Sequence, residues 1–128
     1  MSAIVYDAGA LIALDRAGNG VAVERHRRFL ANGHEILVPA VTAAQVVRNP
    51  ARQAGLMRAL GGCAMVAFSS RDLLPVAMLL ARSGSSDVVD AFVAVTAAQA
   101  GAAVVTSDPA DIGALLAALG ASVAILPA

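Results

Sequence analysis

The chain contains no Trp and no Lys, and only one Cys, one Tyr and three Phe in 128 residues. A single Cys, Cys63, excludes an internal disulfide and a cysteine-built zinc cage. With no secretory leader visible, a reducing cytoplasm is the expected compartment. Scarce aromatics, at 3% of the chain, leave small and branched aliphatics to build the core. The nine basic residues are all Arg, and nine acidic residues balance them to a formal net charge of zero. No overall field therefore draws in nucleic acid, which excludes a general coat protein but not an enzyme with locally placed cations. Two uncharged stretches, Ala91 to Ser107 and Ile112 to Ala128, approach the length of a membrane span. Each carries Gly and polar breaks and fits a helix followed by a strand better.

What the chain has in abundance is aliphatic sequence: 59% of its residues are hydrophobic. Short β-rich runs ("AIVYD", "EILVP", "CAMVAFS", "AAVVTSD", "ASVAILP") alternate with helical patterns, most of them closed by glycine. The segment 50–61 reads as one helix or two. Strands that are apolar throughout and alternate with helices imply an α/β fold with a central, mainly parallel sheet covered on both faces. The length suits one domain over 1–128. Met57, Met65 and Met78 are expected as core filler, and His26 and His34 as surface residues.

Carboxylates stand at the ends of the most apolar segments. Asp7 ends the first strand and Asp108 follows the fourth. Asp90 lies in the first turn of the helix before that strand. A helix antiparallel to its strand begins at the strand's carboxyl end, so all three fall on one rim, where open α/β sheets bind ligands. Clustered carboxylates repel unless they take up protons or share a cation. Hard oxygen donors select Mg²⁺ or Mn²⁺. The same positions also suit capping: Asp87 and Asp90 at a helix start, Asp108 before Pro109. Asp7 has no comparably clear helix to cap.

"IVYDAGALIALDR", "ILVPAVTAAQVVR" and "DVVDAFVAVTAAQAGAAVVTSDPADI" resemble, in order and across essentially the whole chain, PIN-domain ribonucleases of the VapC toxin type. The resemblance implies a PIN-like three-layer fold, RNA cleavage with Mg²⁺ or Mn²⁺, a VapB-type antitoxin partner and a homodimer. It matches Asp7, Asp90 and Asp108 to the family's metal-binding acids, Asp7 and Asp90 as direct ligands and Asp108 as ligand or water-orienting group. Thr106 and Asp111 match accessory positions. Gln45 departs from the pattern, since the family usually places Glu there; an amide offers one neutral oxygen but neither charge nor a base. Asp87, one turn before Asp90, could supply some of that charge or serve only as the cap. Arg48, Arg52 and Arg16, and also Arg58 and Arg82, are candidates for RNA phosphates or members of solvated helix faces. A PIN-like module that binds antitoxin or RNA without cleaving is the alternative function. A phospho-Asp receiver is set aside, because it needs a Lys near its site.

Overall fold

The computed structural model describes residues 2–16 and 18–128. Five strands form one sheet in the order β3-β2-β1-β4-β5, and every pairing is parallel. These are β1 (Ala3–Tyr6), β2 (Glu35–Pro39), β3 (Ala64–Val66), β4 (Ala103–Thr106) and β5 (Ile125–Pro127). The helices are α1 (Ala8–Asp15), α2 (Gly20–Ala31), α3 (Ala40–Val46), α4 (Ala54–Gly61), α5 (Leu73–Ser83), α6 (Val88–Ala100) and α7 (Pro109–Ala118). The segment 50–61 resolves into a 3₁₀ turn, Pro50–Arg52, followed by α4. Proline starts that turn because its fixed φ suits the first position and its missing N–H is not needed there.

Alternation along the strands divides the core in two. Val5, Leu37 and Val104 face one side and pack with Val76, Leu79, Phe92, Ile112 and Leu116 of α5, α6 and α7. Ile4, Tyr6, Ile36, Val38 and Val105 face the other and pack with Leu11, Leu14, Val46, Leu56 and Leu60 of α1, α3 and α4. The result is three layers, as the apolar runs imply. Helix α6 buries seven consecutive residues, Ala91 to Ala97. A helix apolar on all sides belongs in an interior. Alanines at 91, 94 and 97 let it approach the sheet closely. It ends at Gly101, whose φ of +61° is a left-handed value that glycine adopts without steric cost.

Two expectations from sequence are corrected. His26 is buried, 5% exposed, not a surface residue. Its Nδ1 lies 2.9 Å from the Tyr6 hydroxyl, and burial lowers its pKa while a bond to the Ala59 backbone opposes the shift. The ring thus ties β1, α2 and α4 together. The methionines err in the opposite sense: Met57, Met65 and Met78 are 39%, 49% and 57% exposed. Met78 continues an apolar solvent face of α5 that includes Leu73 and Leu74. Among the described residues, no helix is long and apolar enough to cross a membrane.

Candidate metal centre

The centre of the sheet is also its topological switch point. From β1 the chain passes to β2 on one side, and β4 joins on the other. Tyr6 is in register with Val105, and the Asp7 N–H donates to the Val105 carbonyl at 3.2 Å. Asp7 therefore sits level with Thr106, at the carboxyl edges of two adjacent strands. Its backbone leaves the sheet in an extended conformation, and its side chain caps α1 by accepting the Ala10 N–H at 3.0 Å. Asp7 does cap a helix, contrary to the expectation from sequence.

Gly9 makes this junction possible. A methyl group on Gly9 would lie 2.6 Å from Ser107 Cβ and 3.0 Å from its backbone N. The first turn of α1 and the segment after β4 thus touch at a distance only glycine permits. Thr106 fixes the other half. Its hydroxyl, fully buried, accepts the Asp108 N–H at 2.8 Å and lies close enough to the Asp7 carboxylate to favour its ionised form. Asp108 stands at the N-cap position of α7, yet its side chain makes no cap bond and remains exposed. Capping does not account for that carboxylate.

Asp87 behaves differently. It is the N-cap of α6, accepting the Asp90 N–H at 3.0 Å. Asp90, freed from that duty, projects from the first turn. With Asp87 and Asp111 it lines a cleft of about 300 Å³ bounded by Ser83 to Ser85, Ala114 and Leu115.

The electrostatics join these residues. Burial is the main cause raising the Asp90 pKa to about 6, and the charges of Asp87, Asp7 and Asp108 add to it. Burial also raises Asp7, which the Asp108 charge reinforces against hydrogen bonds from Thr106, Ala10 and Gly9. The four carboxylates thus feel one another, and their field favours a cation. Among the described residues, though, no three His, Cys, Asp or Glu side chains are gathered at ligand spacing. Mg²⁺ takes hard oxygen donors, few of them carboxylates, and retains waters, so the carboxylates of Asp7, Asp90 and Asp108 fit that ion by their chemistry, although they are not gathered at ligand spacing.

Gln45 lies exposed on the second turn of α3, outside the cleft that Asp90 lines. The arginines are mostly not at the rim's centre. Arg48 caps α3 with Nη1, which donates to the Ala44 and Val47 carbonyls at 2.6 and 2.9 Å. That gives it a structural use that the sequence did not indicate. Arg16 is the exposed C-cap of α1, and Arg52 stands exposed in the Pro50–Arg52 turn. Arg58 lines a groove of about 630 Å³ between α1, α2 and α4 with Leu14, Val23, His26, Arg27 and Leu30. Arg82 is exposed on the last turn of α5.

One residue passed unnoticed in the sequence. Gln53 Oε1 accepts the N–H groups of Arg48 and Asn49, and its Nε2 donates to Asp15 and to the Val46 carbonyl at 3.0 and 3.1 Å. It clamps the loop after α3 onto α1. No sequence pattern marks the partner that makes it a clamp, Asp15, which lies 38 positions away.

The PIN domain family model matches residues 4–110. Among solved structures, the fold is similar to that of VapBC2 from Rickettsia felis bound to a DNA fragment from its promoter. That likeness has a TM-score of 0.73 and 13% identity, covering 98% of each chain. It is also similar to FitAcB from Neisseria gonorrhoeae, with a TM-score of 0.64, 17% identity and 96% of each chain covered. Among curated proteins, none matches the sequence.

Proposed function

This chain belongs to the PIN-domain family, and from that premise we propose that it is a metal-dependent endoribonuclease, the toxin of a VapBC-type toxin–antitoxin pair. The observation that carries the proposal is the placing of Asp7 and Asp108 just beyond the adjacent carboxyl ends of β1 and β4, with Asp90 in the first turn of α6. In this reading Asp7 and Asp90 would hold Mg²⁺ or Mn²⁺, and Asp108 would bind the ion or orient water beside it. The bound ion would lower the pKa of a water and neutralise charge at the scissile phosphodiester. The chain's own residues do the positioning. Thr106 holds Asp7 and the Asp108 backbone in fixed relation. Asp87 sets the start of α6 and so the direction of Asp90.

The test is cleavage of single-stranded RNA by purified protein in Mg²⁺ or Mn²⁺, with EDTA as control. The expected result is metal-dependent internal cuts that Asp7→Asn removes. Cleavage unaffected by EDTA would defeat the reading. RNA binding with no cleavage in either metal would instead favour the second one, a module that binds without cutting. The amide at position 45 motivates that alternative.

Gln45 gives a graded test. If Gln45 on α3 faces the bound ion, Gln45→Glu would bring charge to it, and a few-fold tighter Mg²⁺ binding is expected by titration calorimetry. Unchanged or weaker affinity would place residue 45 outside the metal's surroundings.

The partners follow from surfaces. The α1–α2–α4 groove, with Leu14, Val23 and Leu30 beside Arg27 and Arg58, suits an amphipathic segment of an antitoxin. An antitoxin Arg reaching the acidic rim would neutralise it by charge pairing. The α5 face, with Leu73, Leu74 and Met78 at 57–67% exposure, is the proposed pairing surface of a homodimer. Light scattering should give the dimer mass at tens of micromolar, and Leu74→Asp should give a monomer. A monomeric parent protein would overturn the pairing. A cytoplasmic location completes the proposal; Cys63 is half-buried and its thiol is pushed up to about 11, so it is a poor nucleophile.

A further inference from the structure

Between the 3₁₀ turn Ser70–Asp72 and α6 lies a cavity of about 370 Å³, lined by Val66, Arg71, Asp72, Phe92, Thr96 and Gln99. It shares no residue with the acidic cleft. Thr96 is 7% exposed, and its hydroxyl has no hydrogen-bond partner. A threonine inside a helix ordinarily bonds back to the carbonyl one turn earlier. Thr96 does not, so its buried hydroxyl is unsatisfied unless something enters the cavity.

The rest of the lining narrows what that could be. Asp72 Oδ2 takes the N–H and hydroxyl of Ser69 at 2.8 and 3.1 Å, while its Oδ1 enters neither bond. Arg71, its neighbour, is exposed, as is Gln99. A phosphate would meet the Asp72 carboxylate, and an ammonium would meet Arg71. A neutral group with acceptors beside donors satisfies both. Phe92 adds an aromatic wall, held edge-on against Phe68 at 5.0 Å between ring centres. Guanine has this character: O6 and N7 accept from an arginine fork, and its ring and exocyclic N–H groups donate to a carboxylate.

The cavity is also placed for it. Val66 ends β3 on the sheet edge where Asp7 ends β1. Thr96 is six residues from Asp90 on α6, about 9 Å along the helix axis. We propose that this cavity takes a guanine base extruded from single-stranded RNA and so sets which sequence is presented to the acidic rim. The inference rests on the ribonuclease reading, since sequence-specific RNA recognition works mainly on unstacked bases.

The experiment measures binding by fluorescence anisotropy in EDTA, which separates recognition from cleavage. The full chain is titrated with U-rich octamers carrying G, A, C or U at one central position. The expected result is a preference of roughly tenfold for the G octamer. Arg71→Gln and Thr96→Val should each reduce that preference, measured against the same variant's all-U affinity, to below about threefold. Their circular dichroism and melting should match the parent, and Thr96→Val should melt no lower because it removes an unpaired hydroxyl. Equal binding of all four octamers overturns the guanine pocket and leaves the ribonuclease reading standing. A G preference that survives both substitutions overturns it too. Binding of no octamer overturns both. A shift of the monomer–dimer balance in Arg71→Gln would assign the cavity to the pairing surface and overturn the proposal.

Discussion

Asp90→Asn is expected to do two opposite things: abolish metal-dependent RNA cleavage and raise the melting temperature of the metal-free protein at pH 7. The folded-state pKa of Asp90 is raised from 3.8 to about 6. The fold therefore prefers the protonated form. Its contribution to stability is fully present below the unfolded pKa and is lost as pH rises through about 6. At pH 7 the ionised group works against the fold. A shift of this size corresponds to roughly 3 kcal/mol at full value. Asp90 is partly exposed, so solvent screening reduces this to about 1–2 kcal/mol. For a chain of this length that is a gain of about 3–8 °C in Tm. The amide keeps the shape and removes the charge. The gain should shrink at pH 4, where the parent is protonated, and again in Mg²⁺, which stabilises only a protein that binds it. Calorimetric melts at the two pH values with and without metal measure all of this. A variant that melts lower at pH 7, or that still cleaves RNA, would remove Asp90 from the metal centre.

The second large effect concerns Gly9. Replacing a helical Gly by Ala ordinarily stabilises by about 0.5–1 kcal/mol. Gly9→Ala should do the reverse. The new methyl would sit 2.6 Å from Ser107 Cβ and 3.0 Å from its N, atoms that no rotamer change can move aside. Either α1 or the Ser107–Asp108 segment must shift. Overpacking of this kind costs about 1–3 kcal/mol. The shift also separates Asp7 from Asp108, and displacements approaching 1 Å cost about 100-fold in catalysis. Gly113→Ala is the control. Its methyl would meet only Ile125 Cδ1 at an ordinary 3.6 Å, so it should gain stability and keep activity. A Gly9→Ala protein as stable as the Gly113→Ala one would show that the close approach is not obligatory.

The sheet, the layers and the acidic rim were legible because they depend on local pattern. Apolar runs mark strands buried on both faces, and glycines such as Gly84 and Gly101 stop helices with left-handed φ values of +74° and +61°. Carboxylates at strand ends and helix starts then fall on one edge by geometry alone. The alternative uses of those carboxylates were not legible. Asp7, Asp87 and Asp108 occupy similar cap positions, but only the first two use side-chain oxygens as caps. That distinction is tertiary. So is the burial of His26, whose partner Tyr6 is 20 positions away, and the exposure of methionines that fit a core equally well by composition. The capping role of Arg48 and the Gln53 clamp depend on the chain reversing after α3, which no periodicity records.

The order of the strands has a consequence for the chain while it is being made. Strand β1 pairs with β2 and with β4, and its β4 partners lie about a hundred positions later: Ile4 with Ala103, Val5 with Val104. Asp7 is therefore synthesised about a hundred positions before Asp108. At roughly 5–20 residues per second, about 5–20 seconds separate the synthesis of the two halves of the rim. During that interval the nascent chain can build β1, β2 and the helices between them, but not the acidic centre. On the proposed ribonuclease reading, cutting activity would thus arise only once β4 has been made. Products truncated before β4 would lack Asp108 and so the assembled acidic rim, whatever else they fold into.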